Sequence, residues 1–211
     1  MIRSPPVPSS DFELLDAWRG GDRGSGDQLF QRHFDCLFRF FQSKVGGEAE
    51  DLIQQTLLAC VEDRERFRQA TSFRAYLLGV ARNKLYMFFR ARKPGADLSV
   101  SSVEDLGMSP RGVAAERQEH RLLLAALRRL PLELQLAVEL HYWEELSGPE
   151  LAEILELPEG TVRSRLRRAR EALTEQLELL AASPELLTST ITDLDGWART
   201  LKQQLERGAA G

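Results

Sequence analysis

Apolar positions recur at helical spacing along most of the chain. Phe12, Leu14, Leu15 and Trp18 mark a helix over about 11–20, with Ser10 or Asp11 placed to cap it and Gly20-Gly21 to end it. Leu29, Phe30, Phe34, Leu37, Phe38 and Phe41 carry a second helix, about 26–44, broken at Gly46-Gly47. A third runs from Glu48 to about Asp63, with Leu52, Ile53, Leu57, Leu58 and Val61 expected inward. Arg64–Thr71 is predicted as a basic loop containing Phe67. The fourth helix, about 72–92, carries Phe73, Tyr76, Leu77, Val80, Ala81, Leu85 and Phe88.

The period then fails. Lys93 to Ala114 is rich in Pro, Gly and Ser and predicts a flexible linker. Helical character returns at about 115–130. Pro131 stops that helix and opens the next, Leu132–Trp143. The Ala181–Pro184 stretch is a break. Leu194, Trp197, Ala198, Leu201 and Leu205 then share one face of a last amphipathic segment, Asp193–Glu206. That segment reads either as a helix docked on its neighbour or as a regulatory, partner-binding element. The pattern therefore predicts an all-α chain of two small helical domains joined by a flexible linker. Residues 1–9 form a disordered start, 10–93 a first four-helix domain, 94–114 the linker, 115–180 a second domain and 181–211 a tail.

The most informative stretch is Ser147–Leu173, SGPELAEILELPEGTVRSRLRRAREAL. Leu151, Ile154 and Leu155 give a short helix an apolar face, and Ala152 supplies the small residue a close helix crossing needs. Pro158 breaks the period. Val162, Leu166, Ala169 and Leu173 stripe the following helix, whose other faces carry Arg163, Arg165, Arg167, Arg168 and Arg170 with no acid between Glu159 and Glu171. This is the pattern of a helix-turn-helix whose second helix enters a DNA major groove. Glu156 departs from it: such turns often place Gly there to allow a positive φ, at a cost of about 1 kcal/mol for other residues.

Charge sharpens the picture. The chain has 211 residues and a net charge of −4, which argues against nonspecific coating of nucleic acid. Its basic residues are clustered. Between Arg64 and Lys93 nine Lys and Arg stand against the single acid Glu65, and the second block is Arg163–Arg170. Acids gather between Glu133 and Glu159. Two basic patches on an acidic chain suggest two DNA contacts, with acidic surfaces left for protein partners. Cys36 and Cys60 lie in apolar helical patterns and are expected in the core. No CxxC or close Cys/His pairing suggests a metal, and no nucleophile–base pair or phosphate-cradling loop suggests an enzyme or a cofactor. No run of 18 apolar residues is present, and the first residues lack a signal-peptide core, so a cytoplasmic protein without membrane insertion is expected.

Three motifs in this order resemble the extracytoplasmic-function (ECF) group of bacterial sigma-70 factors. They are AEDLIQQTLL (Ala49–Leu58), SFRAYLLGVARNKLYMFFRARK (Ser72–Lys93) and the run Leu127–Leu173. The resemblance implies a sigma-2-like and a sigma-4-like domain, and partners comprising core RNA polymerase (through its β′ clamp helix and β flap), promoter DNA and an anti-sigma factor. On the first motif it implies polymerase contacts by Asp51, Gln54 and Gln55. On the second it implies −10 recognition. Phe67 and Asn83 would form the pocket of a flipped-out base, and Arg74, Arg82, Lys84, Arg90 and Arg92 would meet phosphates. Tyr76 stands where the family usually has Trp, and its hydroxyl needs a partner. On the helix-turn-helix the resemblance implies −35 recognition. Arg163, Ser164, Arg167 and Arg168 are the candidates for base edges, with Arg163 and Arg168 foremost, and Thr161 and Arg165 the candidates for phosphates. The implied function is an alternative-type sigma factor, not an enzyme. A stand-alone helix-turn-helix regulator and a DNA-independent adaptor are the competing readings.

Overall fold

Ser10 starts the first helix with a reciprocal cap: its hydroxyl accepts the Glu13 N–H at 3.2 Å, and its own N–H donates to Glu13 Oε2 at 2.7 Å. The computed structural model describes residues 10–63, 72–108 and 118–192, with Gly196. Helix α1 spans Asp11–Arg19, α2 Arg23–Val45, α3 Ala49–Glu62 and α4 Phe73–Arg92. In the second half, α5 spans Gln118–Arg129, α6 Leu132–Tyr142, α7 Gly148–Leu155, α8 Glu159–Leu180 and α9 Pro184–Thr192. Helix α2 starts three residues before its predicted start, because Asp22 caps it through the Gly24 N–H. Gly26 has a packing reason: a Cβ there would lie 2.6 Å from the Trp18 ring.

The two halves do not keep separate cores. One continuous cluster joins Leu37, Phe41, Leu77, Leu78 and Leu85 of the first half to Leu136, Leu140, Leu151 and Ile154 of the second. A second cluster lies within the C-terminal half, where Leu123, Leu127 and Trp143 meet Ala169, Leu173 and Leu177.

The connecting segment corrects an expectation. Residues 94–108 are predicted as flexible linker, yet Val103 and Leu106 are fully buried and Leu98 nearly so. Gly95 and Gly107 take φ of +83° and +81°, which lets the chain turn back on itself. Ser101 accepts the Leu132 N–H at 2.9 Å, and Arg128 Nη2 donates to the Met108 carbonyl at 3.0 Å. Composition signals the turns but not the three buried apolar residues, Leu98, Val103 and Leu106, set between them.

Helix α9 also differs from expectation. Pro184 reads as a break, but it occupies the first helical turn, where its missing N–H is harmless. Leu186 and Leu187 pack on the second cluster. Most of the amphipathic segment 193–206 lies outside the described residues, as does Phe67.

Candidate nucleic-acid interface

The helix-turn-helix is built as its spacing predicts. Leu151, Ile154 and Leu155 of α7 and Val162, Ala169 and Leu173 of α8 are buried, and Leu157 packs against the core from the turn. Ser147 and Glu150 close a cap at the start of α7, with the Ser147 N–H and hydroxyl both donating to Glu150 Oε2. Glu156 does take the left-handed conformation the turn demands, at φ 54° and ψ 47°.

On α8, Thr161, Arg163, Ser164, Arg167 and Arg168 are exposed on the side away from Val162 and Ala169. Ser164 donates its hydroxyl to the Gly160 carbonyl at 2.8 Å. Arg165 stands apart. It is largely buried and pairs with Glu133 Oε2 of α6 at 2.8 Å, so in this conformation it braces α8 against α6. Arg170 lies over the Tyr142 ring at 5.5 Å.

The α4 candidates divide. Asn83, Arg90 and Arg92 are exposed, and Arg74 and Lys84 are half-buried. Arg82 is only 4% exposed. Its Nη1 donates to the Ile154 carbonyl at 2.5 Å, its Nη2 lies 2.5 Å from Glu156 Oε1, and Nε and Nη2 both reach Asn83 Oδ1. Beside it, a groove of about 430 Å³ is lined by Tyr76, Asn83, Lys84 and Met87 of α4 and by Glu153 and Glu156. The Tyr76 hydroxyl finds its partner in the Asp63 carbonyl at 3.2 Å.

On α3, Asp51, Gln54 and Gln55 are exposed, and Gln55 Nε2 donates to Asp51 Oδ2 at 2.6 Å. Two neighbours correct the sequence reading. Leu58 and Val61, expected inward, are 59% and 43% exposed. Leu58 follows Gln54 by four residues and Asp51 by seven, and Val61 follows Gln54 by seven, so they continue the same exposed stripe with apolar side chains. That spacing was the available signal; apolar character alone pointed the wrong way.

Sequence reasoning did not identify the charged contact between the halves. Arg39 of α2 meets Glu144, just beyond α6, through two bonds of 2.9 Å, and both side chains are buried. Lys44 pairs with Glu139, which also accepts from the Ser43 hydroxyl at 3.0 Å and from Gln135 at 2.7 Å. Burial pulls the Lys44 ammonium below its ordinary range, and Glu139 pulls it back in part. Arg128 Nη1 donates to the Ser43 carbonyl.

Comparison with known proteins agrees with this geometry. The sigma-70 region 2 model matches residues 29–94 and the sigma-70 region 4 model residues 120–173, together more than half of the chain. The chain is 29% identical over 191 residues to the ECF RNA polymerase sigma-E factor of Haemophilus influenzae, covering 81% of this chain and 97% of that one. It is 28% identical over 182 residues to the ECF RNA polymerase sigma factor BldN of Streptomyces coelicolor, covering 82% and 69%. Two solved structures share the fold. The sigma factor RpoE of Bartonella quintana, solved with the anti-sigma factor NepR, matches with a TM-score of 0.55 and 24% identity over 72% of this chain and 96% of that one. CnrH, solved with the cytosolic domain of CnrY, matches with a TM-score of 0.62 and 23% identity over 82% and 100%.

Proposed function

The chain belongs to the sigma-70 family of RNA polymerase sigma factors, in the ECF group, and on that premise we propose how its halves divide promoter recognition. It is an alternative sigma factor serving transcription initiation. Helix α8 reads the −35 element as duplex. Arg163 and Arg168 reach base edges, Ser164 and Arg167 assist, and Thr161 lies near the positive helix end that favours a phosphate. Arg165 joins them only if it leaves Glu133.

The −10 element falls to α4 and to Phe67. Asn83 and Phe67 receive an unstacked base, while Arg74, Arg82, Lys84, Arg90 and Arg92 hold the strand. Asp51, Gln54 and Gln55 meet the β′ clamp helix, with Leu58 and Val61 supplying the apolar part of that contact. The C-terminal half rests on the β flap. Two modest DNA contacts on one polymerase act as one strong contact when promoter spacing suits both. Catalysis stays with the polymerase. An anti-sigma factor is the expected regulator, by analogy with the similar RpoE structure, which was solved with one. Among the described residues no helix is long and apolar enough to cross a membrane, and the cytoplasm is the proposed site of action.

The observation that carries this reading is the row of exposed arginines on α8, opposite the buried Val162–Ala169–Leu173 stripe. Footprinting the protein with core polymerase tests it. The expected result is two protected blocks upstream of a start site, with permanganate-reactive thymines between the −10 block and the start only when both components are present. Protection by the protein alone, without strand opening, contradicts it.

A further inference from the structure

Two features of α4 and α7 have a common explanation. Glu156 occupies a left-handed position where Gly would be strain-free, and Arg82, a cation assigned above to promoter phosphate, is buried against that same residue. Glu150, Glu153 and Glu156 recur every three residues along the α7 side that meets α4. Glu150 Oε1 accepts the hydroxyl of Ser72, the cap of α4, at 3.0 Å. Glu153 and Glu156 line the groove beside Asn83 and Lys84. Arg82 closes the contact on Glu156 Oε1 and the Ile154 carbonyl, at the negative end of the α7 dipole. A row of carboxylates ending in the Ile154 carbonyl presents to an arginine what a phosphate backbone presents.

We propose that α7 acts as an internal phosphate mimic which holds the basic side of α4 shut in the free protein, with Glu156 as its latch on Arg82. The carboxylate accounts for a residue other than Gly at a left-handed position. Single-stranded promoter DNA and α7 then compete for one guanidinium, and strand capture requires the halves to part there. This inference rests on the assignment of Arg82 to the −10 strand.

The test uses the full chain and a fluorescein-labelled pool of random single-stranded 15-mers, because a phosphate contact is independent of sequence. Glu156→Gly removes the carboxylate and suits the backbone; Glu156→Gln removes the charge and keeps the strain. Glu178→Gln, an exposed acid far from α4, controls for net charge. Both Glu156 variants are expected to bind the pool about fivefold more tightly than the control. The slope of log affinity against log salt should steepen by about 0.7, the increment for one added phosphate contact on a single strand. Adding Arg82→Ala to Glu156→Gly should erase both gains. Glu156 variants that match the control overturn the latch. In that case Arg82→Ala alone separates the two ideas: weakened binding keeps Arg82 as a strand contact without a latch, and unchanged binding removes that assignment as well.

Discussion

Glu144 grips the guanidinium of Arg39 at two points, Oε1 on Nε and Oε2 on Nη2, both at 2.9 Å, across 105 residues of sequence. Neither side chain is more than 5% exposed. Removing one partner of such a pair leaves a buried charge uncompensated, at a cost of about 3–5 kcal/mol, whereas replacing both with apolar groups of similar size is often neutral. Glu144→Ala should therefore lower the urea-unfolding free energy by about that amount. The double variant Arg39→Met, Glu144→Leu should recover most of the loss. Additive losses in that cycle would show that the two groups do not act as a pair.

On α8 the arginines should separate by role. Arg168→Ala and Arg163→Ala are expected to weaken promoter use by about 1–3 kcal/mol each while leaving core binding and thermal stability unchanged. Arg165→Ala should instead lower stability, because it breaks the brace to Glu133. Run-off transcription at limiting protein, alongside thermal unfolding, distinguishes them. Wild-type transcription from Arg168→Ala contradicts the −35 assignment.

Leu58 offers a test of the polymerase face. Its side chain is 59% exposed, so Leu58→Ala should change stability by no more than about 0.5 kcal/mol. Affinity for core polymerase should nonetheless fall about tenfold, as for a residue at the centre of a contact. Asp51→Ala with Gln54→Ala should add to that loss. Unchanged affinity in a fluorescence titration removes α3 from the interface.

The two cysteines predict a pH response. Burial, with the charge of Asp63, pushes the Cys60 thiol up to about 12, and burial with Glu144 raises Cys36 well above its ordinary value of 9.0. Below pH 9 folded and unfolded chains both keep these protons. As pH climbs from 9 towards 12, the unfolded chain releases them first, so stability falls by up to about 1.4 kcal/mol per pH unit for each thiol. Lys44 has the opposite sign: its lowered value makes stability rise with pH up to 10.5. Urea midpoints from pH 8.5 to 11 should therefore fall less steeply for Cys60→Ala than for the wild type. At pH 8 neither native thiol should react with Ellman's reagent, and both should react in guanidinium.

Much of this was legible in the chain. The apolar stripes mark the first eight helices, and the spacing of Val162, Ala169 and Leu173 alone sets the exposed face of α8. What was not legible has physical reasons. Arg39, Lys44 and Arg128 are long charged side chains, which a pattern of apolar positions assigns to solvent; only three-dimensional pairing reveals them as interior. Leu58 and Val61 fail in the opposite direction: both are apolar, yet the turn of α3 places them on its outer side. Arg82 lies on a basic helix whose charge suggests DNA on every face, and nothing in its neighbourhood announces Glu156, 74 residues further along the chain.

The most direct measurement is run-off transcription on fragmented genomic DNA of the host, using purified bacterial core polymerase with and without this protein. Discrete new transcripts that require it are the predicted result, with starts that share two upstream elements at fixed spacing. Sequence-specific duplex binding by the protein alone, with no transcript gained on adding it to core, would contradict the account and favour a stand-alone regulator.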